Sequence, residues 1–189
     1  MNYNTLEIDA FKEIGNIGSG NAATSLSTLL DTMVDLEITE INVVSIQDCQ
    51  SMVTTEGQGF SVIHELHGDL NGIFWFVMRE EDKQFLAECI AGDLNIATEL
   101  VLEEVTNILG GNYLKALCDM LSLKIDLNPP ILSEITSYLG SYENRINQEQ
   151  ILYIKNKLTI NQQSVYCCIN LILEPDSFQF TLQKLGVSH

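Results

Sequence analysis

Between residues 9 and 21 the chain reads DAFKEIGNIGSGN, and Asp9, Glu13, Asn16 and Gly20 follow one another at steps of four, three and four. On an α-helix those steps stack the four on one stripe, three polar side chains leading to a residue that has none. A carboxylate three residues from a carboxamide suits a task that neither performs alone. The carboxylate engages a cationic group on a visiting surface. The amide donates one hydrogen bond and accepts another, so it holds a water without being a strong base. Glutamines play that part in phosphoryl hydrolysis, where placing the attacking water in line with the leaving oxygen does much of the catalysis. The stripe returns 91 residues later as Glu104, Asn107 and Gly111. Two copies in register indicate a duplication. A solvated helix face is the alternative for one copy alone. The two helices differ at many solvent-side positions yet both keep Glu, Asn and Gly, and that argues against it.

Other chemistries find little support. The chain has no GxxxxGK[ST] run, no HExxH and no Ser or Cys nucleophile signature, so any phosphate and metal would arrive on a partner. Gly18, Ser19 and Gly20 lie inside a helix with no strand before them, unlike a phosphate loop. Asn21 and Asn112, beside the stripe glycines, are read as structural, bonding backbone that Gly20 and Gly111 loosen. The glycines themselves would let a partner approach closely. His64 and His67 are three apart in an alternating segment, on opposite faces of a strand, and read as ordinary sheet histidines. Cys49, Cys89, Cys118, Cys167 and Cys168 form no CxxC pair and read as reduced core residues, with neither a disulfide framework nor a zinc site.

Composition sets the class. Apolar residues make up 46% and charged residues 19%, the balance of a folded chain. The formal charge of −17 would repel nucleic acid and anionic membranes, so the expected partner carries a positive patch. No basic leader precedes an apolar run, and no stretch has the eighteen or so apolar residues that a membrane span needs. The expected location is cytoplasmic.

The stripes need elements to hold them. Asn4 and Glu7 have capping-box spacing, and Leu6, Ala10, Ile14 and Ile17 trace an apolar face opposite the first stripe. Helical spacing resumes over residues 21–30, predicting one long helix with room for a kink at Gly18 and Gly20. Strands are predicted over residues 34–46, 60–66 and 72–78, the last two joined by a turn around Gly68, Asp69 and Asn71, with residues 47–59 a polar loop. A helix follows over 80–91. The second half repeats the order: helix 98–123, with Leu102, Val105, Ile108, Leu114, Leu117 and Leu121 as its core side, strands 125–135, 150–159 and 164–173, and a closing helix from Pro175 to about 185. Residues 138–149 are the most loop-like of that half. The fold class is therefore α/β (α+β): a pseudo-two-fold duplicated helix-strand-strand-strand-helix repeat, with an antiparallel sheet carrying two long motif-bearing helices on its surface. No Gly-, Pro- or Ser-rich linker divides the halves. Residues 1–189 are expected to form a single domain of two internal repeats, about 1–95 and 96–189.

The stretch DAFKEIGNIGSGNAATSLSTLL resembles the signature of the CheC-type chemotaxis phosphatases, the CheC/CheX/FliY family. That motif is Asp or Ser, three residues, Glu, two residues, Asn, then twenty-two residues and Pro. Asp9, Glu13 and Asn16 match it in the first copy, where Thr39 stands at the Pro position. Glu104, Asn107 and Pro130 match it in the second, where Leu100 leads. Two intact pairs in one chain are unlike the CheX type, which carries one pair per chain and dimerises. The extra carboxy-terminal domain of FliY is not expected. The resemblance implies hydrolysis of the aspartyl phosphate of the response regulator CheY, and binding to the receptor deamidase CheD, which in this family stimulates the phosphatase and is itself held back. It implies that Asn16 and Asn107 orient the attacking water and that Glu13 and Glu104 pair with the regulator's active-site lysine. No cofactor of the chain's own is implied, since the Mg2+ is carried by the regulator. The kept Pro130 points to the second site as the more active. A non-catalytic adaptor holding CheD or a regulator is the competing expectation, and a switch-complex component a third.

Overall fold

The computed structural model describes residues 5–45, 47, 48, 51, 59–91, 97–134 and 151–186. In chain order these form α1 (Thr5–Leu30), β1 (Val34–Val44), β2 (Gly59–Gly68), β3 (Gly72–Arg79), α2 (Glu80–Ala91), α3 (Thr98–Leu121), β4 (Ile125–Leu127), β5 (Ile131–Glu134), β6 (Ile151–Ile160), β7 (Gln163–Leu173) and α4 (Pro175–Lys184). Asn4, the capping member of the predicted capping box, and the loop-like stretch 138–149 lie outside the described residues.

All strand pairings are antiparallel, and the sheet runs β1-β6-β7-β3-β2-β4, with β5 also paired to β2. At its centre β3 lies on β7, with Val77 opposite Cys168, two residues that occupy equivalent positions in the two halves. Each half lends its first strand to the other: β1 pairs with β6, while β4 and β5 pair with β2. The two lent edges pair in the same sense, Glu40 facing Lys155 and Ile131 facing Ile63, one residue from strict equivalence at the 91-residue offset.

β3 reads GIFWFVMR and is buried along almost its whole length, as a central strand covered on both faces must be. Phe74, Phe76 and Met78 join one cluster with Phe11, Ile14 and Leu26 of α1, Leu102 and Leu109 of α3, Leu86 of α2, and Phe178 and Leu182 of α4. The four described helices thus share one face of the sheet, each buried Leu, Ile or Phe contributing about 1.5–3 kcal/mol. Ile73, Trp75 and Val77 point by alternation to the other face and are also buried.

Three predicted boundaries change. The strand expected over 125–135 is broken into β4 and β5 around Asn128, Pro129 and Pro130, because neither proline has an N–H to give the ladder. In β1 the matching place is a register shift between Ile38 and Glu40, so Thr39 bulges where Pro130 interrupts. The helix expected to reach 123 stops at Leu121, where Ser122 turns left-handed (φ 55°) and its N–H caps the Cys118 carbonyl. In the predicted polar loop, Gln47, Asp48 and Ser51 are helical, with the Ser45 hydroxyl accepting from the Asp48 N–H at 3.0 Å. Gly18 and Gly20 do not interrupt α1. Among the described residues no helix is long and apolar enough to cross a membrane.

Candidate functional site

The two stripes ride on α1 and α3, which pack against each other in opposite directions. Phe11, Ile14 and Gly15 line a small cavity with Tyr113, Leu114 and Leu117, while Ser25 further along α1 meets Asn112 at 3.2 Å. The crossing is close because Gly18 is buried there. A Cβ on Gly18 would stand 3.0 Å from the Tyr113 Cα, so Gly18 serves the helix pair and not an incoming partner. Gly20 and Gly111 are different: both are exposed, and a Cβ on either would meet nothing within 4 Å.

Glu13, Asn16, Glu104 and Asn107 are all exposed, and none of their side chains bonds another described residue. The stripe positions therefore offer their polar groups to solvent or to a visitor. Asp9 is exposed and 3.6 Å from Lys12 one turn on; Pro130 is half-buried beside the β4–β5 break. The helices cross near Gly18 and Tyr113, so Asn16 and Asn107 stand on opposite sides of the crossing, on the order of 12 Å apart along the helix axes.

The surroundings hold features that the spacing did not reveal. Ile17, assigned to the apolar face from its spacing, is 39% exposed beside Asn16, because the buried face of α1 is set by Phe11, Ile14, Gly15, Gly18, Ala22 and Leu26. Two glycines let that face turn towards α3 and β1, which rotates Ile17 out. Leu100, at the position of Asp9, is 58% exposed. Beside Gly111 opens a groove of about 210 Å3, lined by Lys115, Cys118, Ile125, Asp126 and Leu127 among others. Asn112 matches its expected structural role, its amide donating to the Ile108 carbonyl at 2.7 Å, whereas Asn21 is exposed. Of the histidines, His64 is fully buried and His67 lies outside, 3.7 Å from Glu65. Cys167 and Cys168 are buried thiols, and burial pushes the Cys167 thiol far above its usual range.

An antiparallel sheet bearing a crossed helix pair, with a carboxylate and a carboxamide displayed at matching points of each helix, defines a duplicated fold with two exposed polar stripes. The chain matches the CheC-like family over residues 6–37 and 101–134, and each matched stretch contains one Glu/Asn pair. The likeness to the CheC-like family therefore covers both motif-bearing stretches. It is 29% identical to the CheY-P phosphatase CheC of Bacillus subtilis, over 96% of this chain and 95% of that protein. Its fold is similar to that of FliY from Thermotoga maritima, with a TM-score of 0.78 at 18% identity over 98% of both chains. It is also similar to a chain of the CheX–CheY–BeF3–Mg2+ complex from Borrelia burgdorferi, with a TM-score of 0.50 at 19% identity over 83% of this chain and 96% of that one.

Proposed function

We propose that this chain is a protein aspartyl-phosphate phosphatase acting on a CheY-type response regulator. The observation that carries the reading is the pair of exposed Glu/Asn stripes at equivalent points of α1 and α3, whose polar groups bond no other described residue. The similarity over nearly the full length of the Bacillus subtilis CheY-P phosphatase supports the same reaction.

An aspartyl phosphate is a mixed anhydride, and water attacking phosphorus breaks the bond to the aspartyl oxygen, leaving a carboxylate and inorganic phosphate. Asn16 or Asn107 accepts a hydrogen bond from that water through its carbonyl, turning a lone pair towards phosphorus on the side opposite the leaving oxygen. Glu13 or Glu104, three residues back on the same stripe, pairs with the regulator's lysine and fixes the register of docking. Charge neutralisation at the phosphoryl oxygens would come from the Mg2+ that the regulator carries. Gly20 and Gly111 keep side-chain bulk out of the approach. CheD belongs to the same proposal as a second partner, and a cytoplasmic location goes with both.

The test is phosphate release from a phosphorylated regulator by Asn16→Ala, Asn107→Ala and the double variant, with and without CheD. The double change is expected to lower the rate about a hundredfold, as the loss of a positioned water does. Asn107→Ala is expected to cost more than Asn16→Ala, because the second copy keeps Pro130. A double variant that retains the wild-type rate refutes the assignment and leaves an adaptor.

A further inference from the structure

The two carboxamides rest on unlike ground. Behind Asn16 the chain has Gly15, buried, with the Ile38 Cδ1 2.7 Å from where a Cβ would stand. Behind Asn107 it has Thr106, fully buried, whose Oγ1 lies 3.1 Å from the Glu103 carbonyl and 3.3 Å from Nε2 of His64 on β2. The Nδ1 of His64 is 3.1 Å from the Asn128 carbonyl, and its ring stands edge-on to Phe74. Asn128 is pinned in turn: its N–H donates to the Glu65 carbonyl at 2.9 Å and its amide reaches His67 Nε2 at 3.0 Å. It is the residue before Pro129 and Pro130, so one buried ring joins α3 to the proline break beside it.

The proton count shows what this does. A carbonyl only accepts, so Nδ1 carries the proton and donates to Asn128. Burial lowers the pKa of His64 against the smaller opposing effect of that hydrogen bond, so the ring is neutral and Nε2 is an acceptor. Thr106 then has one hydroxyl proton and two acceptors within reach, Nε2 and the Glu103 carbonyl. In a regular helix that same carbonyl is the partner of the Asn107 backbone N–H, four residues on. A second donor on a helical carbonyl loosens or bends the turn, and a ring that draws the hydroxyl away relieves it. We infer that His64 is a positioning residue for Asn107, acting through Thr106 to set the helical turn that aims this carboxamide, a device with no counterpart at Gly15 behind Asn16. The inference rests on the proposed role of Asn107 as the water-orienting amide.

The test reads the two sites separately, in an Asn16→Ala chain where only the second acts and an Asn107→Ala chain where only the first does. Into each go Thr106→Val, which keeps shape and loses the hydroxyl, His64→Asn, which keeps a polar group near Nδ1 only, and His64→Gln, which keeps one near Nε2. At the Asn107 site, Thr106→Val and His64→Asn are expected to lower kcat about tenfold with KM within about twofold, because aim is lost and docking is not, and His64→Gln to recover most of it. At the Asn16 site all three are expected to stay within about twofold of the parent, which also shows that the chain is folded. Equal losses at both sites, no loss at either, or a His64→Gln as poor as His64→Asn overturn the inference. NMR decides it independently of the phosphatase reading. Thr106→Val and His64→Asn are expected to shift the Asn107 backbone and side-chain amide signals and leave those of Asn16 in place, and unmoved Asn107 signals overturn it. Failure of the phosphatase reading shows instead as unimpaired hydrolysis by the Asn16→Ala/Asn107→Ala chain.

Discussion

Ser19 on α1 and Tyr113 on α3 meet hydroxyl to hydroxyl at 2.5 Å where the two helices cross. The Tyr113 proton goes to the Asn156 carbonyl oxygen on β6 at 2.8 Å, so Ser19 is the donor to the phenol, and Asn156 passes its own N–H to the Ile154 carbonyl at 3.2 Å. All three side chains are buried, and burial pushes the Tyr113 phenol well above its usual range, so it remains a donor. This polar chain fixes one helix on the other and both on the sheet.

Tyr113→Phe is therefore expected to cost about 1–3 kcal/mol, because it strands the buried Asn156 oxygen and the Ser19 hydroxyl together. Urea denaturation measures it. Ser19→Ala combined with Tyr113→Phe should cost less than the two single changes added, since they remove parts of one network.

The glycines of α1 separate two roles. Gly18→Ala places a methyl 3.0 Å from the Tyr113 backbone, which cannot swing aside, and is expected to destabilise by about 1–3 kcal/mol. Gly20→Ala and Gly111→Ala meet open space and are expected to stabilise by about 0.5–1 kcal/mol. The latter pair should nevertheless raise KM for the phosphorylated regulator. A higher Tm with unchanged KM would remove the close-approach role.

An excess of acidic residues, −17 overall, with Glu13 and Glu104 on the exposed stripes proposed to dock the regulator, predicts association that weakens with salt. Between about 0.05 and 0.5 M NaCl, kcat/KM should fall by about an order of magnitude while kcat changes little. Stopped-flow measurements of regulator dephosphorylation would show it, and Glu13→Gln with Glu104→Gln should flatten the slope.

Burial holds the folded-state pKa of His64 below its ordinary value. As pH falls below about 6.5 the unfolded chain takes up the proton first, so the stability tied to the neutral ring is complete above that pH and is lost as pH drops towards the folded value. Urea midpoints at about pH 7.5 and 5.5 should therefore differ more for the wild type than for His64→Gln.

Much of this was legible from local pattern. The acidic first turn of residues 80–91 and the apolar run of β3 gave those elements their limits, and the steps of four and three put Glu13, Asn16, Glu104 and Asn107 on exposed helix faces. What escaped depends on partners distant in sequence. Ile17 continues the apolar spacing of Ile14 but is rotated out by the close approach of Gly18 to Tyr113. The single strand predicted over 125–135 is split where Asn128 is drawn onto β2 by its bonds to Glu65 and His64. His64 read as an ordinary sheet residue because nothing local announces that Thr106, on a helix 42 residues later, will lie against its ring.

The lending of strands has a kinetic corollary. β1 leaves the ribosome early, yet the strand that will cover its inner edge is made over a hundred residues later. Until then its backbone donors and acceptors stay open, and loop-closure entropy delays their pairing, so folding should be slow for a chain of this length and completed only after synthesis. A nascent chain stalled in its second half would carry an unzipped sheet margin, the kind of surface on which aggregation begins.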